Sequence, residues 1–290
     1  MAYSITERGA PYSPDYRVYF VNHDGPISPW HDIPLHANPQ NNTFNMVIEI
    51  PRWSNAKMEI SREEPLNPIK QDIKKDMPRF VKNCFPYHGY IWNYGALPQT
   101  WEDPGHVDSF TKCKGDNDPL DIIEIGQRIA RLGEVVEVKV LGAIALIDEG
   151  ETDWKVIAIN VRDPLAEKLH DMSDVDAYCP GLLKATIDWF RIYKMPDGKP
   201  ANQFAFDGQA KPAAFARKII EEAHQFWGQL FTTPTKNISC INTTLEGNEL
   251  KISDGNAWKL LENTQCYMPP WPIPDEVDMI HYVKGWDCKL

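Results

Sequence analysis

The chain has 290 residues, 42% of them hydrophobic and 24% charged, which is the composition of a globular protein long enough to bury a large core. Its 30 basic and 41 acidic residues give a net charge of −11, so a surface that binds nucleic acid through phosphate contacts is not expected. No stretch approaches the roughly 20 apolar residues that cross a bilayer, so no membrane partner is expected either.

The ends and the cysteines of the chain indicate its compartment. The first ten residues contain no apolar run of the kind that marks a secretory signal. The six cysteines, at positions 84, 113, 179, 240, 266 and 288, are scattered without a Cys-x-x-Cys pair or zinc-finger spacing. Reduced thiols in a reducing compartment are the simplest interpretation. We therefore expect a cytoplasmic protein.

Alternating apolar and polar residues predict six strands before residue 160, at 45–50, 57–60, 79–81, 90–94, 135–147 and 153–159. Alternation places Lys57 and Glu59 on one face of the second strand, and Tyr90 and Tyr94 on one face of the fourth. Because the connections are short, this strand-rich region favours a small barrel.

A hairpin turn over residues 149–152 is predicted between the last two of these strands. On the returning strand Asp153 and Lys155 share a face, and Asp148 lies opposite them across the mouth of the hairpin. The hairpin therefore gathers two carboxylates and one ammonium group within a few residues.

Helical periodicity begins after the strands. It predicts helices at 182–193 and at 213–231, the second with a stripe formed by Phe215, Ile219, Ala223, Phe226 and Leu230. We interpret that stripe as core packing. The proline-rich segment 269–274 is expected to be extended and to lie on the surface. With no repeat and no clear linker, we expect one domain over 1–290, with its core at about 45–232 and an extended C-terminal segment at about 245–290.

The densest acidic stretch of the chain runs from residue 102 to residue 124. Its acidic members are Glu102, Asp103, Asp108, Asp116, Asp118, Asp121 and Glu124, against only Lys112 and Lys114. Such carboxylates repel one another unless a cation lies between them, and their oxygens suit Mg²⁺, Mn²⁺ or Ca²⁺. A solvated acidic loop is the alternative, although the apolar residues that flank the loop and its Asp-Pro step favour a fixed conformation.

An EF-hand calcium loop does not fit this stretch. Counted from Asp116, position 6 is Asp121 rather than glycine, and position 12 is Gln127 rather than glutamate.

Further charged and aromatic residues at strand and helix ends are candidates for the same site: Glu49, Glu59, Asp148, Asp153, Lys57, Arg79, Lys155, Lys194, Tyr90 and Tyr94. Taken singly, each has a structural explanation. Lys194 suits a helix C-terminus, Lys155 could form a surface ion pair with Asp153, and the two tyrosines could be core aromatics.

Together these residues carry a family resemblance. The segment 116–122, Asp-Asn-Asp-Pro-Leu-Asp-Ile, resembles the signature of the family I inorganic pyrophosphatases, and five further segments match that family in order: 49–59, 90–95, 98–104, 148–155 and 188–194. The match runs from about residue 16 to about residue 244, and the terminal extensions resemble the eukaryotic, typically homodimeric branch. The resemblance implies an α+β, mainly β fold: a five-stranded OB-like β-barrel core with flanking helices and N- and C-terminal extensions.

The resemblance also implies roles for individual residues. The residues that match metal ligands are Asp116, Asp121, Asp153, Asp148 and Glu59. Asp118 matches the group that takes a proton from the attacking water. The residues that match phosphate contacts are Arg79, Tyr193, Lys194, Lys57, Tyr94 and Lys155. The residues that match the supporting shell are Glu49, Tyr90, Glu102 and Asp103.

The function implied is the hydrolysis of pyrophosphate to two orthophosphates by a Mg²⁺-activated water, which drives pyrophosphate-releasing biosynthesis forward. Several Mg²⁺ ions are expected in each site, with Mn²⁺ or Zn²⁺ as substitutes and Ca²⁺ as an inhibitor. Three alternatives stay open: an OB-type module that binds nucleic acid, a metal-dependent hydrolase of nucleotides or polyphosphate, and an inactive scaffold.

Overall fold

The computed structural model describes residues 2–233, 235 and 237–284. Over these residues the protein is mainly β-structure with a few helices, as the sequence predicts. None of the described helices combines the length and the apolarity needed to cross a bilayer. The five cysteines within this part of the chain are free thiols, and Cys288 lies outside the described residues.

The strands of the first half of the chain are β1 (Ser4–Arg8), β2 (Arg17–Val21), β3 (Pro26–Ile27), β4 (His36–Asn38), β5 (Thr43–Ile50), β6 (Met58–Ile60), β7 (Ile69–Gln71), β8 (Ile73–Lys74), β9 (Met77–Pro78), β10 (Asn83–Cys84), β11 (Asn93–Ala96), β12 (Lys114–Gly115) and β13 (Asp121–Glu124). The later strands are β14 (Val135–Asp148), β15 (Glu151–Asn160), β16 (Gln203–Phe204), β17 (Lys211–Pro212) and β18 (Ile280–His281). The helices are α1 (Met172–Tyr178), α2 (Leu182–Ile192), α3 (Ala213–Gln229) and α4 (Asp254–Glu262). Single 3-10 turns occupy Pro39–Asn41, Met195–Asp197, Ala205–Gly208 and Asp275–Asp278.

Five strands pair in a closed cycle. β5 pairs with β11, β11 with β13, β13 with β15, β15 with β14, and β14 again with β5. All of these pairings are antiparallel except β13 with β15, which is parallel. A second sheet, in the order β1-β2-β7-β6 with β3 beside β2, reaches this cycle where the Ile60 amide donates to Glu49 Oε1 of β5 at 2.7 Å.

A bulge in β14 lets this long strand serve two apolar clusters. Before the bulge the even-numbered valines, such as Val138 and Val140, face the cluster that contains α3. After it the odd-numbered Ala143 and Ala145 face that cluster, and Ile144 turns toward the cluster that contains α1 and α2. Side chains alternate between the two faces of a strand, so one inserted residue moves the following side chains to the opposite faces.

Both predicted helices are confirmed with small changes at their ends. α2 ends at Ile192 and α3 at Gln229, somewhat earlier than the apolar pattern suggested. Ile219 and Ala223 of the predicted stripe are buried in α3, together with Ala216 and Ile220. The stripe is therefore core packing, and it covers one face of β14.

Two predicted strands were wrong in extent. Segment 79–81 forms only one isolated bridge, between Phe80 and Ala56. Segment 90–94 is a strand only from Asn93 onward, and that strand continues to Ala96. Tyr90 instead exchanges backbone hydrogen bonds with the turn at 53–54, because Gly89 approaches Ser54 so closely that a Cβ atom would lie 2.5 Å from its carbonyl oxygen.

The hairpin between β14 and β15 has a shorter turn than predicted. Only Glu149 and Gly150 lie outside the strands, with φ angles of 51° and 93°. Positive φ at both central residues is the geometry of a tight hairpin turn that matches the strand twist.

The C-terminal segment is anchored to the N-terminal loops. The Asp32 carboxylate accepts hydrogen bonds from the backbone amides and the hydroxyls of Thr243 and Thr244. Residues 269–274 form neither helix nor strand and lie exposed on the surface, and the Trp271 amide donates to the Pro11 carbonyl at 2.9 Å. α4 was not predicted, although Ser253 caps it and Ala257 and Leu261 form its buried face.

His31 is fully buried at the centre of this anchored region. Its Nε2 lies 3.0 Å from the Ser239 carbonyl oxygen, and the Trp227 indole donates to its Nδ1 at 2.9 Å. These two partners together fit the neutral ring, with a proton on Nε2 and a lone pair on Nδ1. Burial lowers the pKa of His31 to about 4, and its hydrogen bond to Ser239 opposes that shift only in part.

The His31 pKa predicts a loss of stability in mild acid. The unfolded chain takes up this proton near pH 6.5 and the folded chain only near pH 4, so this contribution is fully present above pH 6.5 and is lost as the pH falls toward 4. At pH 5 the loss is about 2 kcal/mol. Urea unfolding at pH 7 and pH 5 measures it: His31→Gln should remove most of this pH dependence, and His23→Gln, at an exposed position, should retain it. Equal pH dependence in both variants would contradict this account.

Candidate functional site

The acidic loop 116–120 is held against the backbone at Glu102. The Asn117 amide donates to the Glu102 carbonyl, and the Glu102 amide donates to the Asp118 carbonyl, both at 2.9 Å. Gly115 permits this approach, because a Cβ atom there would lie 2.4 Å from the Glu102 carbonyl oxygen. The Trp101 indole also donates to Asn117 Oδ1 at 3.0 Å. The backbone of the loop is therefore fixed in place, and the Asp118 side chain on it is half exposed.

Three carboxylates converge beside this loop. Oxygen atoms of Glu102, Asp116 and Asp153 all lie within 4.8 Å of one another. Glu102 Oε1 accepts from the Trp154 amide at 3.1 Å, while the buried Glu102 Oε2 has no hydrogen-bond partner among the described residues. An all-oxygen donor set with an unpartnered buried atom could hold a hard divalent cation.

Burial and mutual repulsion disfavour the charged forms of these carboxylates. Removal from water, and then the charge of neighbouring carboxylates, raises the pKa of Glu102 and of Asp116 well above their usual values. Burial raises the pKa of Asp153 to about 7, although Lys155 opposes the shift. A divalent ion between the three groups would remove their repulsion and favour their charged forms.

Lys155 lies between two acidic strand positions. In the register of β13 and β15, Asp121 is opposite Lys155, and Asp153 is two residues away on the same face. The buried Lys155 ammonium group contacts the carboxylates of both and lies 3.0 Å from the Tyr94 hydroxyl, which itself donates to Asp121. Burial lowers the pKa of Lys155, but Asp121 and Asp153 outweigh this and hold it well above its usual value.

Other cations of the site each contact a carboxylate. Lys57 Nζ lies 3.1 Å from Glu59, Lys194 Nζ lies 2.5 Å from Asp148, and Arg79 lies 3.0 Å from Asp72. Arg62 lies 3.2 Å from the half-exposed Asp118. Cations and carboxylates thus alternate around the site, an arrangement that suits a highly charged anion accompanied by metal ions.

Aromatic rings form one wall of the site. The Tyr90 ring centroid lies 5.1 Å from that of Tyr94 and 4.9 Å from that of Trp189, which stacks on Tyr193 at 4.7 Å. Burial raises the pKa of all three tyrosines, so their hydroxyls stay protonated and remain hydrogen-bond donors, that of Tyr94 to Asp121. Lys194 Nζ lies 5.7 Å from the Tyr193 centroid, close enough for a cation–π contact.

Most of the residues proposed from the sequence come together here, with some differences of detail. Glu49 is buried beneath the site, where burial raises its pKa to about 8. Glu102, expected in the supporting shell, lies in the converging trio with Asp116 and Asp153. Asp103, expected in the same shell, accepts from the Gly105 amide at 2.7 Å, a local turn contact.

Sequence reasoning missed two charged neighbours, Arg62 and Asp72. Both lie in connections between short strands, where no periodic pattern marks a side chain as facing the site. The charge of Arg62, three residues after Glu59, was the only available signal.

Comparisons with known proteins place the chain in a family. The family model described as inorganic pyrophosphatase matches residues 46–228, more than half of the chain. The chain is 57% identical over 284 residues to an inorganic pyrophosphatase of Drosophila melanogaster, covering 97% of this chain and 84% of that one. It is 54% identical to an inorganic pyrophosphatase of Homo sapiens, covering 98% and 99%.

A solved structure agrees with these relatives. The inorganic pyrophosphatase of Schistosoma japonicum superposes with a TM-score of 0.92 at 48% identity, over 97% of this chain and all of that one. With a family match, a fold match and identities above 50% over nearly the whole length, the chain belongs to the inorganic pyrophosphatase family, with the enzymes of family I and the eukaryotic type.

Proposed function

We propose that this site hydrolyses pyrophosphate to two orthophosphates with the help of Mg²⁺. Membership of the family supports the reaction, and the observation that carries it here is the trio Glu102, Asp116 and Asp153 among the cations Lys57, Lys155 and Lys194. A substrate with two linked phosphates needs both metal ions and side-chain cations to neutralise it. Its removal would drive forward the biosynthetic reactions that release pyrophosphate.

Several Mg²⁺ ions would be held by Asp116, Asp121 and Asp153, with Asp148 and Glu59 as further ligands. The converging oxygen donors and the unpartnered Glu102 Oε2 support such binding. When bound, Mg²⁺ would supply an activated water and withdraw charge from phosphate oxygens. Mn²⁺ or Zn²⁺ would substitute, and Ca²⁺ would inhibit because its larger radius and looser geometry misplace the water.

The side chains would divide the substrate between two phosphate pockets. Arg79, Tyr193 and Lys194 would bind one phosphate, and Lys57 and Tyr94 the phosphate that is attacked. Lys155 would contact a phosphate oxygen from its position between Asp121 and Asp153. Glu49, Tyr90, Glu102 and Asp103 would support these groups. Cationic donors fixed by their neighbours stabilise the charge that develops on the leaving phosphate.

Asp118 would accept the proton of the attacking water. Its carboxylate is half exposed at the mouth of the site, outside the converging trio, so it is free to exchange protons. Asp118 Oδ1 lies 3.2 Å from Arg62, and the Asp118 amide donates to Asp116 Oδ1 at 3.0 Å, which keeps it beside the acidic cluster.

We also propose the finer architecture that the resemblance implies. The closed five-strand cycle would be the OB-like barrel, and residues 1–290 would form one domain with a catalytic core at about 45–232. The family match over 46–228 supports that core. The free thiols support a reducing, cytoplasmic compartment.

The first test is phosphate release from pyrophosphate. With Mg²⁺ the protein should release two phosphates for each pyrophosphate, and EDTA should abolish the reaction. Adding Ca²⁺ in the presence of Mg²⁺ should inhibit it. Release that persists in EDTA, or strong hydrolysis supported by Ca²⁺ alone, would contradict the proposed site. Parallel reactions with ATP and with polyphosphate test the broader phosphoanhydride hydrolase.

Asp118→Asn should lower kcat by about 100-fold or more, because the amide cannot accept the proton. Its Mg²⁺ affinity, measured by titration calorimetry, should change little, since Asp118 lies outside the trio. Asp24→Asn is the matched control, because that exposed carboxylate contacts only His23 among the described ion pairs. Normal turnover in Asp118→Asn would remove Asp118 from the mechanism.

We propose a homodimer, as the resemblance to the eukaryotic branch implies. Large exposed apolar side chains such as Phe85, Ile280 and Tyr282 support an association surface, and β10 and β18 bring this group together. Sedimentation equilibrium should give twice the chain mass of 33.2 kDa. A single species at the monomer mass across micromolar concentrations would contradict the dimer.

A further inference from the structure

Asp197 connects two segments that carry phosphate-binding side chains in the proposed function. It ends the 3-10 turn Met195–Asp197, which directly follows Tyr193 and Lys194. Its carboxylate accepts from Lys74 at 2.9 Å and lies 3.6 Å from Lys82 Nζ. Lys74 belongs to the hairpin of β8 and β9, and that hairpin leads directly into Arg79.

Beyond its base, where the Asp72 amide donates to the Lys57 carbonyl at 2.8 Å, the hairpin has little else to hold it in place. Among the described residues β8 and β9 pair only with each other, and two isolated strands are marginally stable at best. Its apolar side chains Ile73 and Met77 are 41% and 60% exposed, so they do not anchor it to a core. Its turn consists of Lys75 and Asp76, both at positive φ. The orientation of the hairpin therefore depends on polar contacts at its edges.

The Arg79 side chain is tied to the base of that hairpin. The Arg79 amide donates to the Asp72 carbonyl at 2.7 Å, and its guanidinium donates to the Asp72 carboxylate at 3.0 Å. The Arg79 carbonyl also accepts from the Lys57 amide at 3.0 Å and from the Gln71 side chain at 2.7 Å, so its backbone is joined to β7 and to the residue before β6 as well. Among the described ion pairs, the contacts of Asp197 with Lys74 and Lys82 are the ones that span from this segment to the segment of Tyr193 and Lys194.

We propose that Asp197 is a positioning residue that holds the Arg79 hairpin opposite Tyr193 and Lys194, so that the pocket for one phosphate keeps a single width. The inference rests on the proposed function of that pocket. Asp197 itself would not touch the substrate, and it would act through Lys74 and Lys82.

Because Asp197 is negatively charged, the direction in which its removal changes substrate affinity distinguishes a positioning role from a purely electrostatic one. Burial raises its pKa, but the hydrogen bond from Lys74 and the charges of Lys74, Lys82 and Arg79 outweigh burial and hold the pKa below its usual value. Asp197 is therefore an anion near an anion-binding site. If it acted through charge alone, its removal would tighten substrate binding. If it positions Arg79, its removal weakens binding despite the gain in positive potential.

The kinetic constants of Asp197→Asn with Mg²⁺ and pyrophosphate distinguish the positioning role from the charge effect. We expect KM to rise about fivefold with kcat within about twofold, because a misplaced cation loses binding shared by the ground and transition states. Asp197→Glu should recover part of the loss. The melting temperature should hardly move, since partly exposed ion pairs contribute little stability. Glu246→Gln, which breaks the exposed pair with Lys251, is the matched control. An unchanged or lower KM in Asp197→Asn overturns the proposal.

A second readout does not depend on activity. Trypsin should cleave after Lys74 and Lys75 faster in Asp197→Asn than in the wild type, because the hairpin is released, and inorganic phosphate should slow cleavage of the wild type. Equal cleavage rates in the two proteins overturn the positioning role. If the wild type releases no phosphate from pyrophosphate, the proposed function fails, whereas the cleavage rates still decide whether Asp197 holds the hairpin.

Discussion

The site depends on the burial of several carboxylates within contact distance of one another. Oxygen atoms of Glu102, Asp116 and Asp153 converge. Asp121 and Asp153 both contact the ammonium group of Lys155, which lies between them. Such a group is unfavourable without positive charge, so the fold must impose the convergence on it. The rigid parts that do so are the paired strands β13 and β15 and the acidic loop fixed at Glu102.

The cations of the site follow from that constraint. Lys155 is the only lysine in the interior of β15, and it contacts both Asp121 and Asp153. Lys57 contacts Glu59, two residues further along the chain, and Arg79 contacts Asp72 at the base of its own hairpin. Lys194 contacts Asp148 at the end of β14, so each of these three cations is held by a carboxylate. The same ion pairs thus hold positive charges in place within the proposed site, where they could stabilise a bound polyanion.

Sequence reasoning succeeded where periodicity and local motifs determine structure. β14, β15, their hairpin and helices α2 and α3 follow from apolar alternation and helical stripes, and the acidic loop is recognisable from its six-residue centre. It failed where long-range contacts decide. The strand predicted at 90–94 begins only at Asn93, because Gly89 lies against Ser54 and residues 90–92 follow that turn. The position of Glu102 beside Asp116 depends on Gly115, which has no Cβ atom to block the approach. No spacing in the sequence encodes either contact.

The closed cycle of strands has a further consequence for the chain in concentrated solution. Each of β5, β11, β13, β14 and β15 has a paired strand on both sides within the described structure, so the segments that carry Asp121, Asp153 and Lys155 expose no long open edge. An unpaired edge is where another polypeptide can add by backbone hydrogen bonds and begin aggregation. In the described structure, the strands that carry Asp121, Asp153 and Lys155 are therefore protected from adding another chain at their edges.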